Sequence, residues 1–311
     1  MCGIFGSFSF NQTKSNYRNS LNAIEHRGPD DEGFWRDDVN GVLLTHKRLS
    51  VVDLSSSGHQ PMFSLSDRYI IVFNGEIYNH LEIRRELEVS GFSAHWRGHS
   101  DTETLLAGFD RWGIIETVNK AVGMFAFAVW DKQSKNLTIC RDRLGEKPLY
   151  YSFMDNTFLF GSDLASFKVH DNFKGHIDRD ALALFMRHSY IPAPYTIYKN
   201  TYKLLPGTFL TISQQNRELN PIKYWSLDDV IKKGISIPFK SADEAVIELE
   251  ALLLKSVNQQ MLATDVPLGA FLSGGIDSSL IVSLMQAQST KPIKTFTIGF
   301  NDIKFNEAVY S

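Results

Sequence analysis

"MCGIFGSFSF", residues 1–10, decides how this chain is read. A chain end ordinarily frays and carries nothing important. Here an apolar, strand-like run begins at Gly3, directly behind a cysteine. Cys2 is one of only two cysteines in 311 residues. A thiol at the head of a packed strand is either an accident or the reason the protein starts where it does.

The length suits one large domain or two ordinary ones. Hydrophobic residues make up 43% and charged residues 22%, the balance of a globular protein with a real core. A formal net charge of −3 offers no electrostatic footprint for nucleic acid or an anionic membrane. No apolar run approaches the roughly 20 residues that span a bilayer, and the start does not read as a secretory signal. The second cysteine, Cys140 in "NLTICRD", reads as a small buried hydrophobe. Free thiols in a reducing cytoplasm are the expectation.

The first two hundred residues are rich in β-like runs, among them "GVLLTHKRLSVVD", "RYIIVFNGEIYN", "PLYYSF" and "TFLFGSD". "AFAVWDKQSKNLTICRD" reads as a hairpin. Several runs are apolar throughout, as expected when both faces of a sheet are covered. Helical patterns interrupt them. Ile83 and Leu87 stand four apart in "HLEIRRELEVSG", which Gly91 should stop. In "SDTETLLAGFDRWG", Ser100 is a candidate N-cap, with Glu103 completing a capping box. The expected fold is α/β: two stacked sheets between helices.

The character changes after "LPGTFLTISQQNREL". The expected organisation is a first domain over 2–215, a linker over 216–240 and the start of a second domain over 241–311. Ser241 and Glu244 form another candidate capping box. Val246, Leu249, Leu253 and Val257 then follow at helical spacing. Strand "PLGAFL", loop "SGGIDSS", helix "SLIVSLMQAQ" and strand "IKTFTIGF" make one unit of a parallel α/β domain.

The loop "FLSGGIDSS" sits where a strand meets a helix, a place that favours anions. Gly274 and Gly275 let the backbone approach a phosphate closely, and Ser273, Ser278 and Ser279 add donors. Asp277 would repel phosphates unless a divalent cation such as Mg2+ intervened. This is not a Walker A loop, because no lysine follows the glycines.

"SGGIDSS" resembles the pyrophosphate loop of the ATP pyrophosphatases. "MCGIFG", "HRGPDDEG", "HKRLSVVDLSSSGHQPM", "NGEIYNH", "SDTE", "GMFAFAVWD" and "RDRLGEKPLYY" together resemble the class II, N-terminal-nucleophile glutamine amidotransferases. Both sets in this order resemble the glutamine-hydrolysing asparagine synthetase family. That resemblance implies ATP and Mg2+ as cofactors. It implies the small molecules glutamine, aspartate and ATP as partners, with a homodimer as one form to look for.

The resemblance also gives Cys2 a role. Removing Met1 leaves Cys2 with a free α-amine. Thiols titrate near ~8.5 and α-amines near ~7.7–8.0, so the amine can take the thiol proton and return it to leaving ammonia. Arg48 then corresponds to the clamp for the glutamine α-carboxylate. Asp101 corresponds to the holder of the α-ammonium, assisted by Glu76 and the backbone of Gly75 and Val51. Asn74 and Gly75 correspond to the oxyanion hole, although "NG" is also a common turn. In "HRGPDD", a contribution from Arg27 to a glutamine lid stands beside a plain structural turn. In the second domain, Leu272 and Ile298 correspond to adenine contacts and Ser273–Ser279 to the phosphate loop, with Asp277 towards the metal. Glu307 in "FNEAVY" resembles a segment near the nucleotide.

The implied reaction converts ATP, aspartate, glutamine and water to AMP, diphosphate, asparagine and glutamate. The aspartate site is expected beyond Ser311. Two alternatives stay open: hydrolysis of glutamine alone, and transfer to another carboxylate acceptor in polysaccharide synthesis. Phosphoribosyl and sugar-phosphate amidotransferases carry different second domains, and β-lactam-forming synthetases typically lack the nucleophile.

Overall fold

The computed structural model describes residues 1–11, 17–92, 95–302 and 306–310. Two compact units divide it, Met1–Leu227 and Asp228–Ser311.

In chain order, the first unit's strands begin with β1 (Gly3–Ser9), β2 (Asp31–Asp37), β3 (Val42–Arg48), β4 (Met62–Phe63), β5 (Tyr69–Ile77) and β6 (Gly123–Asp131). They continue with β7 (Asn136–Arg141), β8 (Tyr150–Met154), β9 (Thr157–Gly161), β10 (Thr201–Lys203), β11 (Thr208–Ser213) and β12 (Ile222–Lys223). Its helices are α1 (Tyr17–Asn22), α2 (His80–Val89), α3 (Asp101–Trp112), α4 (Ile114–Lys120), α5 (Leu164–Lys168) and α6 (Arg179–His188). The strands form two antiparallel sheets, ordered β10-β8-β9-β1-β3-β2 and β12-β11-β7-β6-β5-β4.

Side-chain alternation explains why so many strands are apolar on both faces. Ile4 and Phe8 of β1, Ile70 and Val72 of β5, and Ala126, Ala128 and Trp130 of β6 share the core between the sheets. The intervening Ile71, Phe73, Phe125, Phe127 and Val129 face outward onto Ile83 and Leu87 of α2, Leu105 and Phe109 of α3, and Val118 of α4. Phe5 and Leu159 pack on the opposite side against Ile24 and Phe167 of α5. The result is the expected stack of helix, sheet, sheet and helix. Each large side chain so buried stabilises the fold by roughly 1.5–3 kcal/mol.

Local signals place the helices that matter for the pocket. Helix α2 buries Ile83 and Leu87 and stops before Gly91. The Ser100 hydroxyl accepts the Glu103 N–H and so fixes the start of α3. The capping box is only half made, because the Glu103 carboxylate instead accepts the N–H groups of Arg97 and Gly98. Cys140 is fully buried in β7, as its setting suggested.

Within the stretch read as a linker, β12 pairs with β11, and α7 spans Leu227–Ser236. Asp228 and Asp229 in the first turn suit the dipole of that helix. The second unit continues with α8 (Ala242–Leu262), β13 (Gly269–Phe271), α9 (Ile276–Ala287) and β14 (Lys294–Phe296). Ser241 caps α8 by accepting the Glu244 N–H. Strands β13 and β14 are parallel. Val257 is buried with Leu284 and Met285 of α9, whereas Val246 and Leu249 are exposed. Among the described residues, no helix is long and apolar enough to cross a membrane.

Candidate active site

Register brings the chain terminus to the site. Gly3 lies opposite Lys47 in the β1–β3 pair, which carries Cys2 alongside the end of β3. There the Leu49 N–H donates to Cys2 Sγ at 3.4 Å, and the thiol lies 3.5 Å from the Leu49 carbonyl. Arg27 Nε donates to the Cys2 carbonyl at 3.1 Å, so Arg27 holds the backbone of the candidate nucleophile. Burial pushes the Cys2 thiol up, against the hydrogen bond from Leu49. Burial lowers the proton affinity of the chain's amino group, with Arg27 and Lys147 acting in the same sense and Cys2 and Glu76 opposing.

The second sheet supplies the opposite wall. His46 of β3 reaches across with Nε2 at 3.0 Å from the Phe73 carbonyl of β5, next to Asn74. Burial holds the His46 imidazole down at about 4, so it is neutral near pH 7 and its Nε2–H donates. The Asn74 side chain is buried, and neither Nδ2 nor Oδ1 has a partner among the described residues. A buried orphaned amide is costly, by roughly 1–3 kcal/mol, unless a ligand completes it. Gly75 answers a tighter constraint, because a Cβ there would lie 2.2 Å from the Met124 carbonyl of β6.

Cys2, Arg48, Val51, Asn74, Gly75, Glu76 and Asp101 all line one cavity of about 150 Å³. All seven residues expected to act on glutamine therefore meet in one place. Arg48 is buried, with Nη1 donating to the Ser55 carbonyl at 3.0 Å and Nη2 to the carbonyls of Val52 and Asp53. The turn over 52–55 thus holds the guanidinium at the cavity wall. Asp101 Oδ2 accepts the Ile77 N–H at 2.8 Å and Oδ1 accepts the Thr102 N–H at 2.8 Å. Burial pushes the Asp101 carboxyl up to about 6, opposed by those two backbone bonds, while nearby Glu76 adds to the rise. Burial also raises Glu76, against the pull of Lys147.

Two further lining residues escaped the sequence reading. Gln60 Oε1 accepts the Phe73 N–H at 2.6 Å, and its Nε2 donates to Thr102 Oγ1 at 3.4 Å. Lys147 Nζ lies 3.4 Å from Met1 Sδ. "GHQPM" and "LGEKPLYY" contain them, but a lone glutamine or lysine in a loop carries no chemical signal. The "HRGPDD" turn ties to the segment over the cavity: Asp30 Oδ2 accepts the Ser50 N–H, and Asp31 Oδ2 lies 2.7 Å from His59 Nδ1.

The second candidate site lies wholly in the second unit. Leu272 continues the β13–β14 pairing, its N–H donating to Phe296, while Thr297 Oγ1 donates to the Leu272 carbonyl. Ile298 follows at the same strand ends and is exposed. The Ser273 and Ser278 hydroxyls lie 3.1 Å apart, and Gly274 takes φ +71°. Gly275 N-caps α9, and no side chain closes that end of the helix. Asp277 stands in its first turn. Ser279 donates its N–H to the Gly275 carbonyl. Glu307 opens a short turn over Glu307–Tyr310, and Phe305 of the same motif lies outside the described residues.

The four-layer stack of helix, sheet, sheet and helix has a counterpart among solved structures. A solved phosphoribosylpyrophosphate amidotransferase from B. subtilis shares this fold, with a TM-score of 0.52 at 16% identity over 96% of this chain and 67% of that one. Residues 1–225 match the family described as glutamine amidotransferase domain, and the chain belongs to that family. Residues 248–311 match the family described as asparagine synthase. A putative glutamine-hydrolysing asparagine synthetase 2 of Methanocaldococcus jannaschii is 37% identical over all of this chain and 62% of its own length. Asparagine synthetase 1 of Bacillus subtilis, also glutamine-hydrolysing, is 37% identical over 99% of this chain and 47% of its own length. The chain thus spans about half to three-fifths of the curated relatives it matches.

Proposed function

We propose that the first unit hydrolyses glutamine at Cys2, and that its ammonia serves an ATP-dependent conversion of aspartate to asparagine. One observation carries the glutaminase half: a buried Asn74 amide, without a partner among the described residues, lines the same cavity as Cys2, Arg48 and Asp101.

In this reading Arg48 pairs with the α-carboxylate of glutamine. The Asp101 and Glu76 carboxylates, with the Gly75 and Val51 backbone, hold its ammonium. Loss of Met1 frees the Cys2 α-amine, which takes the thiol proton. Sulfur attacks the side-chain amide carbon. The tetrahedral oxyanion accepts hydrogen bonds from Asn74 Nδ2 and the Gly75 N–H. The protonated amine returns its proton as the C–N bond breaks, and ammonia leaves. Water then cleaves the glutamyl thioester to glutamate and free thiol.

The asparagine synthase match and the loop at the head of α9 support ATP as co-substrate. Leu272 and Ile298 would flank adenine, and Ser273 to Ser279 would surround the phosphates, with uncapped helix N–H groups favouring the anion. The oxygen donors Asp277, Ser273 and Ser278 suit a hard cation. Mg2+ held by these residues would offset the repulsion between the Asp277 carboxylate and the phosphates. The β-carboxylate of aspartate would displace pyrophosphate from the α-phosphorus, and ammonia would then displace AMP. A cytoplasmic location and a homodimer complete the reading.

Glutamate release measured on Cys2→Ala tests it. Glutamine hydrolysis should vanish. In the same variant extended to the length of the curated relatives and supplied with ATP and aspartate, AMP formation with ammonia should survive. Full glutamine use by the variant would overturn the assignment.

A further inference from the structure

Asp53 belongs to none of the roles assigned above, yet it is 1% exposed and sits directly behind the cavity. It takes φ +54°, a left-handed conformation that aspartate tolerates better than most residues. That conformation turns its own carbonyl onto Arg48 Nη2, beside the Val52 and Ser55 carbonyls that receive the same guanidinium. The carboxylate does two further jobs. Oδ1 accepts the Ser55 N–H at 3.2 Å and the Ser55 hydroxyl at 2.5 Å, which closes the turn. Oδ2 accepts the His99 N–H at 2.9 Å. His99 immediately precedes Ser100 and Asp101 at the start of α3. The Gly98 backbone passes so close that a Cβ there would lie 2.1 Å from Asp53 Oδ2. Burial raises the Asp53 carboxyl, but the hydrogen bonds from Ser55 and His99 outweigh it and keep it below the ordinary carboxylate range.

We propose that Asp53 is a positioning residue that sets the separation of the two grips on the amino-acid head of glutamine, Arg48 and Asp101. This rests on the glutaminase reading above. One side of the carboxylate shapes the turn that aims Arg48, and the other anchors the segment that delivers Asp101.

The test is a double-variant cycle on the purified protein, read by binding rather than turnover. L-Glutamate carries the same carboxylate and ammonium as the substrate, and its affinity follows from protection of Cys2 against iodoacetamide. Iodoacetamide carries neither group, so its rate without glutamate reports on the Cys2 surroundings alone. Asp53→Asn keeps the left-handed preference and should weaken glutamate about tenfold, with the unprotected alkylation rate unchanged within about twofold. Ser55→Ala should shift affinity the same way by less. Arg48→Ala with Asp53→Asn should bind more weakly than Arg48→Ala alone, but by clearly less than the about tenfold that Asp53→Asn costs by itself, because only the Asp101 side is then left to disturb. Multiplying effects, unchanged glutamate affinity in Asp53→Asn, or an alkylation rate that falls in step with affinity would each overturn the proposal. Intact glutamate binding in Arg48→Ala would instead remove the glutaminase reading, and this inference with it.

Discussion

Asp101 Oδ2 accepts the Ile77 N–H at 2.8 Å, so the acid at the head of α3 is fastened to the end of β5. Two distant segments thereby fix one charge at the cavity wall.

That charge titrates near neutrality. Burial pushes the Asp101 carboxyl up to about 6, and protonation below that value would remove the carboxylate that the proposed function pairs with the glutamine ammonium. The KM for glutamine should therefore be flat above pH 6 and rise about tenfold per pH unit below it. Asp101→Asn should raise KM and abolish this dependence. Steady-state kinetics between about pH 4.5 and 8 checks both.

Asn74→Ala separates activity from stability. The side-chain amide is buried with no partner among the described residues, so its removal leaves no new orphan there. The melting temperature should hold or rise, while kcat for glutamine hydrolysis should fall by ~10²–10³. A large loss of stability would show that the amide has a structural partner instead.

Gly75→Ala, unlike Asn74→Ala, should cost stability. Its Cβ would meet the Met124 carbonyl at 2.2 Å, so β5 and β6 must separate. Overpacking of this kind costs about 1–3 kcal/mol, and thermal unfolding should register it as a clear fall in melting temperature.

Only one of the two thiols should react in the folded protein. Cys140 is fully buried and its thiol is pushed far up by burial, whereas Cys2 opens onto the cavity. Iodoacetamide should label a single site, and hydrolysis should be lost in proportion. Labelling at Cys2 without loss of activity would exclude Cys2 as the nucleophile.

Much of this was legible in sequence, for identifiable reasons. The doubly apolar runs at β5 and β6 required cover on both faces, which the stacked sheets and helices provide. Ser100, Ile83 and Leu87 act locally, so spacing alone placed α2 and α3. The residues expected to act on glutamine could be picked out only through a family pattern, because Cys2, Arg48, Asn74 and Asp101 come from four separate segments that the fold brings to one cavity. Gln60, Lys147 and Asp53 remained hidden for a related reason. Their work is done through long-range hydrogen bonds and a left-handed turn, and no periodicity or local spacing encodes either. Helix α7 has its own acidic first turn, but it fell in the stretch over 216–240 read as a linker.

The most direct test is an intact-mass measurement of the active protein. The account predicts that fully active chains lack Met1 and begin at Cys2, whose freed amine serves the neighbouring thiol. Undiminished glutamine hydrolysis by chains that still carry Met1 would contradict it.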